Sequence, residues 1–337
     1  MLTVTKRDSY LDGIKFMLIV LVIFVHSLES NLSPGKNEFA IYHFNVLFLM
    51  PFFIMLSGMF LKNLDLAKIK KSSLKIFESY VVFQLIHVAF NIFLYRKIPS
   101  IIDVVVYQEW TLWFLVSLIC WKFMLYFSIK YIKNKMVILV GSIILSLTIG
   151  FVNIDGDVFS IYRTIGNFPF FVIGYMMPHK RVVEIYSNKN YTYLLVPLFF
   201  LAVCFLPIIK DYEFFRFILY KNYPYASTPA PNYLDFWANV FSFVAGISIS
   251  YSILKFFPSV KAFEKMGSQT LFFYLYHPVV LRVLDPILFS KNKLGFEPTP
   301  FMIVVIFVLT VGVIYLFSRF KFFHLVLNPV SRRKEFI

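Results

Sequence analysis

The chain of 337 residues is poor in cysteine and glycine, and basic residues far outnumber acidic ones. Its two cysteines, Cys120 and Cys204, each lie inside an apolar segment, so we predict neither a disulfide framework nor a cysteine-based metal site. The sequence has no glycine-rich phosphate loop, no histidine or cysteine cluster at metal-ligand spacing and no serine nucleophile motif. These absences argue against phosphate-loop NTPase chemistry and zinc hydrolysis. We expect no metal and no permanently bound cofactor.

Hydrophobic residues dominate the composition. They make up 59% of the chain, and the mean hydropathy of +0.73 lies far above the range of soluble globular proteins. Aromatic residues account for 20%, led by 43 phenylalanines, which suit lipid-facing and interfacial positions. The first apolar segment is too long for a signal peptide, and no small-residue cleavage site follows it. The composition therefore predicts a polytopic membrane protein that retains its first helix.

Ten apolar segments are long enough to cross roughly 30 Å of hydrocarbon. They are residues 13–30, 43–61, 76–95, 111–129, 136–152, 161–178, 191–209, 236–257, 268–288 and 300–318. We predict an all-α membrane helix bundle of about ten transmembrane helices. It forms a single domain over residues 1–337, with a short basic cytoplasmic tail at 319–337.

The distribution of basic residues predicts the orientation in the membrane. Loops and tails on the amino-terminal side hold 21 lysines and arginines, whereas those on the other side hold 8. By the positive-inside rule, both termini are expected in the cytoplasm and the chain in the plasma (inner) membrane. The net charge of +15 is spread over these short loops, so we attribute it to topology rather than to nucleic-acid binding.

Four polar residues form one stripe on the first apolar segment. Lys15 and His26 are eleven positions apart and differ by about 20° around a helix axis, and Asp12 and Glu29 fall on the same side. An ionisable residue inside a membrane helix normally faces a protein interior or a wet cavity. His26 is therefore a candidate site residue. The alternative is a structural histidine that is hydrogen-bonded to a neighbouring helix.

The most basic segment runs from Lys62 to Lys75, where the sequence predicts a cytoplasmic loop. Lys71 and Lys75 could form a cationic rim for the phosphates of an anionic cosubstrate, although topology alone also explains such a charge. On the opposite side, residues 210–235 form a loop rich in tyrosine and proline. That loop suits either stacking on sugars or interfacial anchoring.

Further polar residues lie within the later spans. Arg163 opens the sixth span from the outer side, and Arg282 and Asp285 have the spacing of a helical pair. His277 lies mid-span before Pro278, which predicts non-helical geometry at the histidine and a kink in the helix. A kink beside a buried histidine suggests a site, with ordinary packing as the alternative.

Five stretches, in order from Asp12 to His277, resemble motifs of the acyltransferase-3 family of integral membrane O-acyltransferases. They are Tyr10–Lys15 followed after ten residues by His26, Met50–Gly58, Thr111–Leu115 with its Leu-Trp-Phe-Leu motif, Phe168–Tyr175, and Met266–His277. Lysine rather than arginine at position 15 resembles the subgroup similar to fucose 4-O-acetylases. The chain departs from that subgroup at Leu49, where a histidine is common, and it has Lys71 and Lys75 where the third helix usually carries arginines.

The resemblance implies transfer of an acyl group, usually acetyl, from acyl-CoA to a hydroxyl of a cell-surface polysaccharide or its lipid-linked precursor. His26 is then the expected general base, because imidazole titrates near neutral pH. The donor acetyl-CoA would contact lysines near the cytoplasmic side: Lys15, Lys71 and Lys75. The residues expected to line the site or bind the acceptor are Asp12, Glu29, Trp113, Arg163 and His277. The oligomeric state is not indicated.

Two other functions fit a polytopic chain with charges inside the membrane. One is a transporter or flippase of lipid-linked saccharides, and the other is a membrane partner that has lost activity. Transporters often consist of two related halves with broken helices at matching positions. Residues 1–165 and 166–337 show no such pairing, which favours an enzyme.

Overall fold

The computed structural model describes residues 9–29, 32, 37–61, 64–96, 98–154, 158–177, 221–228, 231–258, 260–288 and 299–327. These residues form helices, loops and short 3-10 turns, and no strand. The helices are α1 (Ser9–Leu28), α2 (Asn37–Met59), α3 (Leu66–Tyr95), α4 (Ile101–Val106), α5 (Trp113–Ile132), α6 (Lys135–Thr148), α7 (Ile161–Met176), α8 (Asn232–Phe256), α9 (Lys261–Met266), α10 (Thr270–Leu288), α11 (Pro300–Phe317) and α12 (Lys321–Leu327).

Six helical segments in the described part of the chain are long and apolar enough to cross a membrane. They are Ser9–Leu28, Asn37–Met59, Leu66–Leu94, Trp110–Ile132, Asn232–Phe256 and Pro300–Phe317. The prediction of an all-α membrane protein is confirmed. Helices α6, α7 and α10 occupy three further predicted spans. The predicted span 191–209 lies outside the described residues, so the total of about ten and the cytoplasmic location of both termini stay predictions.

Helix α1 lies at the centre of the bundle. Among the candidate spans it has the largest buried share and α11 the smallest. Helix α1 contacts α2, α9, α10 and α11, and Ile14, Leu18 and Ile23 are fully buried. Because α1 is surrounded by protein, its polar stripe faces other helices rather than lipid.

Helices α2 and α7 approach each other closely at two glycines. A Cβ atom built on Gly58 would collide with the carbonyl oxygen of Phe171, and one on Gly174 would collide with that of Met55. Small residues allow helix backbones to come this close in membrane proteins. The contact fixes α2 against α7, and both helices contribute walls to the site described below.

The amino-terminal half of α1 is held by α9 and the turn that follows it. Gly267 lies against the backbone of Asp12, where a Cβ atom would clash. Tyr10 donates hydrogen bonds to the carbonyl oxygens of Leu254 (2.8 Å) and Phe257 (3.2 Å). These contacts bury Asp12, of which 3% is exposed, and orient the polar stripe of α1.

Helix α3 begins ten residues earlier than predicted. Asp65 caps the helix by accepting a hydrogen bond of 2.8 Å from the backbone N–H of Ala67, which is the usual stabilisation of a first helical turn. The prediction of a loop that runs to residue 75 was therefore wrong from Leu66 onward. Lys71 and Lys75 lie on the first turns of α3 rather than in a loop.

Helix α10 continues through Pro278. Contrary to the prediction, His277 is helical, and its side chain is completely buried. The bias that a proline imposes on the preceding residue is a tendency, and membrane helices tolerate proline when neighbouring helices satisfy the backbone groups that it frees. His277 therefore reaches the interior from a continuous helix.

Candidate active site

His26 and Glu29 form a pair at the carboxyl end of α1. Their atoms Nδ1 and Oε1 are 2.8 Å apart, and 18% and 29% of the two side chains are exposed. Because an ionised carboxylate only accepts hydrogen bonds, Nδ1 of His26 carries the proton and donates it. This leaves Nε2 as the basic nitrogen of the ring.

Two residues from other segments complete the surroundings of Glu29. Tyr42 on α2 donates a hydrogen bond of 2.8 Å to Oε1 of Glu29, and Trp110 also hydrogen-bonds this side chain. Burial acts to raise the pKa of the Glu29 carboxyl, but the charge of His26 and the hydrogen bonds from His26, Tyr42 and Trp110 outweigh it, and the pKa lies below its ordinary value. Glu29 is therefore ionised at neutral pH and is held in one orientation.

A cavity of about 140 Å³ lies beside the His26–Glu29 pair. Its wall is mainly apolar and includes Val22, Met50 and Phe170. The polar side chains that line it include seven from five different segments: His26, Glu29, Tyr42, Arg163, Asn167, Lys221 and Ser242. The cavity thus combines a candidate base, two cations and an apolar wall.

A second cavity, of about 320 Å³, borders the same pair from the side of α10. His26, Glu29 and Trp110 line both cavities, and Arg282 and Asp285 line only the second. The His26 ring therefore stands between two spaces. The same ring thus has two separate spaces beside it, one for each of two molecules.

His277 lies next to His26. The ring centroids are 5.3 Å apart, and Nδ1 of His277 donates a hydrogen bond of 3.2 Å to the carbonyl oxygen of Phe273. Its Nε2 is buried and has no hydrogen-bond partner among the described residues. His277 is thus a neighbour of His26 but lines neither cavity, and its role in the site stays a prediction.

Trp113 and Arg163, two residues predicted to line the site or bind the acceptor, both border the first cavity. The guanidinium carbon of Arg163 is 5.2 Å from the centroid of the Trp113 ring. Stacking on the indole face holds the cation at the wall without neutralising it.

A comparison with protein families gives a match over most of the chain. The model of the family described as "Acyltransferase domain", Acyl_transf_3, matches residues 8–319. The chain belongs to the acyltransferase-3 family. This match includes α1, with the His26–Glu29 pair at its end, and every other segment that lines the two cavities. Neither the curated proteins nor the solved structures give a significant match.

Membership of the acyltransferase-3 family supports a membrane enzyme that transfers acyl groups. Family membership therefore favours an acyltransferase over a transporter of lipid-linked saccharides. The resemblance noted in the sequence, from Asp12 to His277, falls entirely inside the matched range.

In this acyltransferase, Lys15 and Asp12 lie away from the His26 cavities. Lys15 forms an ion pair of 2.7 Å with Asp12, and its ammonium nitrogen is 3.7 Å from the centroid of the Phe60 ring. The axial rise from Lys15 to His26 is about 16 Å, and neither Lys15 nor Asp12 lines either cavity. The stripe predicted on α1 thus consists of two separate pairs, one near each end.

Lys71 and Lys75 are exposed on the first turns of α3 and do not line the cavities of the acyltransferase. Lys62, the first residue of the most basic segment, lies outside the described residues. If these lysines bind a donor, they therefore bind it at a distance from His26 and not at the reacting atoms.

The residues of the site that were not predicted from the sequence include Tyr42, Trp110 and Lys221. Trp110 lies three residues before Trp113, and its position beside a recognised motif is the one signal that could have indicated it. Arg282 was expected to pair with Asp285, but it pairs instead with Glu109 (2.9 Å) and with Asn91 (2.9 Å). The guanidinium carbon of Arg282 lies 5.7 Å from the centroid of the Trp110 ring, so this network adjoins a residue that lines both cavities.

Proposed function

We propose that this acyltransferase moves an acyl group, usually acetyl, from acyl-CoA to a hydroxyl of a cell-surface polysaccharide or its lipid-linked precursor. The observation that supports this best is the His26–Glu29 pair, which borders two cavities. A transfer between two substrates needs one base that both can reach. The fucose 4-O-acetylase-like feature noted at Lys15 favours a sugar as the acceptor. The proposed location is the inner (plasma) membrane.

In the proposed reaction, His26 acts as a general base. Glu29 holds Nδ1–H, so that Nε2 accepts the proton of the acceptor hydroxyl while its oxygen attacks the thioester carbonyl carbon. The tetrahedral intermediate then collapses, the carbon–sulfur bond breaks, and the leaving thiolate takes the proton back from Nε2. The products are the acyl ester and free CoA. The carboxylate of Glu29 stabilises the imidazolium that exists between the two proton transfers.

Arg163 is the side chain best suited to assist the developing negative charge. It lines the cavity beside His26 and keeps its charge at any accessible pH. A positioned cation at an oxyanion lowers the barrier of acyl transfer. Trp113 restricts where that guanidinium can lie.

The donor's phosphates are proposed to bind on the amino-terminal side of α1, near Lys15, Lys71 and Lys75. Lys71 and Lys75 are exposed on α3, and the distance of about 16 Å from Lys15 to His26 is comparable to an extended pantetheine arm. A phosphate at Lys15 has to compete with Asp12, which pairs with the lysine in the structure.

Incubation with isotope-labelled acetyl-CoA tests this function. Membranes that contain the chain are mixed with the host's glycan or its lipid-linked precursor, and the label in the saccharide is counted. Membranes without the chain are the control. Label that enters the saccharide only when the chain is present supports an O-acyltransferase. Absence of label in the saccharide contradicts the proposal and favours the transporter instead.

A further inference from the structure

Lys221 is the cation in the His26 cavity that the proposed reaction does not use. Its ammonium nitrogen donates a hydrogen bond of 3.0 Å to the carbonyl oxygen of Gly166 and lies 5.3 Å from the centroid of the Phe170 ring. The aliphatic stem of Lys221 packs against Gly166, where an added Cβ atom would be 3.0 Å from Cδ. The side chain is therefore docked in the cavity rather than extended into solvent.

None of the ion pairs identified among the described residues includes Lys221. Glu29, which shares the cavity, already accepts from His26, Tyr42 and Trp110. A second cation, Arg163, lines the same cavity. An enclosed positive charge without a counter-ion is costly, so this cavity favours a ligand that brings negative charge.

The surroundings of Lys221 also suit hydroxyl groups. Lys221 lines a small neighbouring cavity of about 20 Å³ together with Asn239. Oδ1 of Asn239 is buried and has no hydrogen-bond partner in the described parts of the chain, while its amide nitrogen donates to Tyr225. The two remaining N–H groups of the ammonium and this unsatisfied acceptor match a sugar hydroxyl, which both accepts and donates.

We propose that Lys221 binds an anionic group, a carboxylate or a phosphate, on a saccharide acceptor whose reacting hydroxyl lies at His26. The inference rests on the proposed function and adds to it the charge of the acceptor. Acyl-CoA does not explain the lysine, because the pantetheine arm keeps the phosphates of CoA far from a thioester at His26. Lys221 therefore selects the acceptor and takes no part in the bond changes.

Direct binding to matched sugars tests this inference. The purified protein in nanodiscs of neutral lipid is titrated with methyl β-D-glucuronide, methyl β-D-glucoside and glucose 1-phosphate, and the dissociation constants are compared. The glucuronide and the glucoside share one ring and differ in the carboxylate. We expect at least one of the two anionic sugars to bind about tenfold or more tightly than the glucoside. The tighter anion identifies a carboxylate or a phosphate as the recognised group.

Variants of Lys221 assign the preference to its charge. Lys221→Met keeps most of the side-chain volume and should lose the preference, whereas Lys221→Arg should retain it. Lys135→Met, which removes an exposed lysine on α6, is the control for loss of one positive charge. Equal affinity for the three sugars, absence of anion binding, or a preference that persists in Lys221→Met would overturn the inference.

The result is separable from the test of the proposed function. Anion-selective binding that depends on Lys221, without label transfer from acetyl-CoA, would refute the proposed acyl transfer but support an anion-binding site at Lys221. Label transfer without anion selectivity would support acyl transfer and refute the proposed binding of an anionic group by Lys221. If Lys221 instead stabilised the oxyanion, Lys221→Met would lower kcat for neutral and anionic acceptors alike and leave their relative affinities unchanged, which also contradicts the inference.

Discussion

Tyr42 and His26 bind the same carboxylate oxygen. Each lies 2.8 Å from Oε1 of Glu29, one from α2 and the other from α1. Because the two helices meet at this oxygen, the orientation of the His26 ring depends on the packing of α2 as well as on the sequence of α1. This relationship leads to the first prediction.

Glu29→Gln should lower turnover about 10²-fold or more, because the amide no longer fixes the tautomer of His26 or stabilises its imidazolium. Tyr42→Phe removes one hydrogen bond to a charged group and should cost about tenfold. Both are measured as the initial rate of label transfer from acetyl-CoA. Tyr126→Phe on α5 is the control, since Tyr126 lines neither cavity. Full activity of Glu29→Gln would remove the carboxylate from the mechanism.

Lys15→Met should raise the KM for acyl-CoA severalfold, because the proposed phosphate contact loses its point charge. Lys15→Arg keeps the charge and should remain closer to the wild-type value. The initial rate is measured over a range of acyl-CoA concentrations at a fixed acceptor level. An unchanged KM in Lys15→Met would show that the lysine serves only its pair with Asp12.

Gly174→Ala should destabilise the protein by about 2 kcal/mol or more, because the added methyl group meets the backbone of α2 and cannot be accommodated by a side-chain rotation. Gly312→Ala on α11 is the matched control, since no atom lies within 4 Å of its added Cβ. That change should alter stability by about 1 kcal/mol or less. Thermal unfolding in detergent, followed by tryptophan fluorescence, measures both. Equal unfolding temperatures would contradict the close contact of α2 and α7.

Binding of an anionic sugar should weaken with rising pH. Burial lowers the pKa of Lys221 to about 7, so the ammonium is present below that pH and is lost above it, while a ligand carboxylate stays ionised throughout. The other charged or titratable groups that face this space are His26, Glu29 and Arg163, together with tyrosines. Dissociation constants measured between about pH 6 and 9 should rise in the wild type.

Lys221→Arg separates the lysine from the other titrating groups. An arginine stays charged over this pH range, so the variant should retain tight binding at high pH. The same pH dependence in Lys221→Arg and in the wild type would assign the titration to another group, such as His26.

Features that depend on the local helical periodicity could be predicted from the sequence. The helical repeat placed Lys15, His26 and Glu29 on one face of α1, and spacing of three residues is what allows both ion pairs of that helix to form. Apolar segment length likewise located the helices. The start of α3 was missed although Asp65 carries a recognisable helix-capping signal.

The other features of the candidate site depend on packing between segments that are far apart in the sequence, and they could not be predicted from it. Tyr42 reaches Glu29 because the end of α1 packs beside α2, and no residue pattern in either helix encodes that distance. Lys221 reaches the cavity from a segment more than fifty residues beyond Gly166, with which it forms its hydrogen bond. His277 lies beside His26, its role in the site stays a prediction, and the proline rule gave the wrong local geometry at this residue.

The most direct test of the central claim compares two histidine variants. His26→Ala removes the proposed base, whereas His324→Ala removes a histidine on α12 that hydrogen-bonds the carbonyl oxygen of Ser318 and lines neither cavity. Transfer of label from acetyl-CoA to the saccharide is measured in membranes with equal amounts of each folded protein. The account predicts a loss of about 10²-fold or more for His26→Ala and wild-type rates for His324→Ala. Wild-type rates in His26→Ala would contradict it.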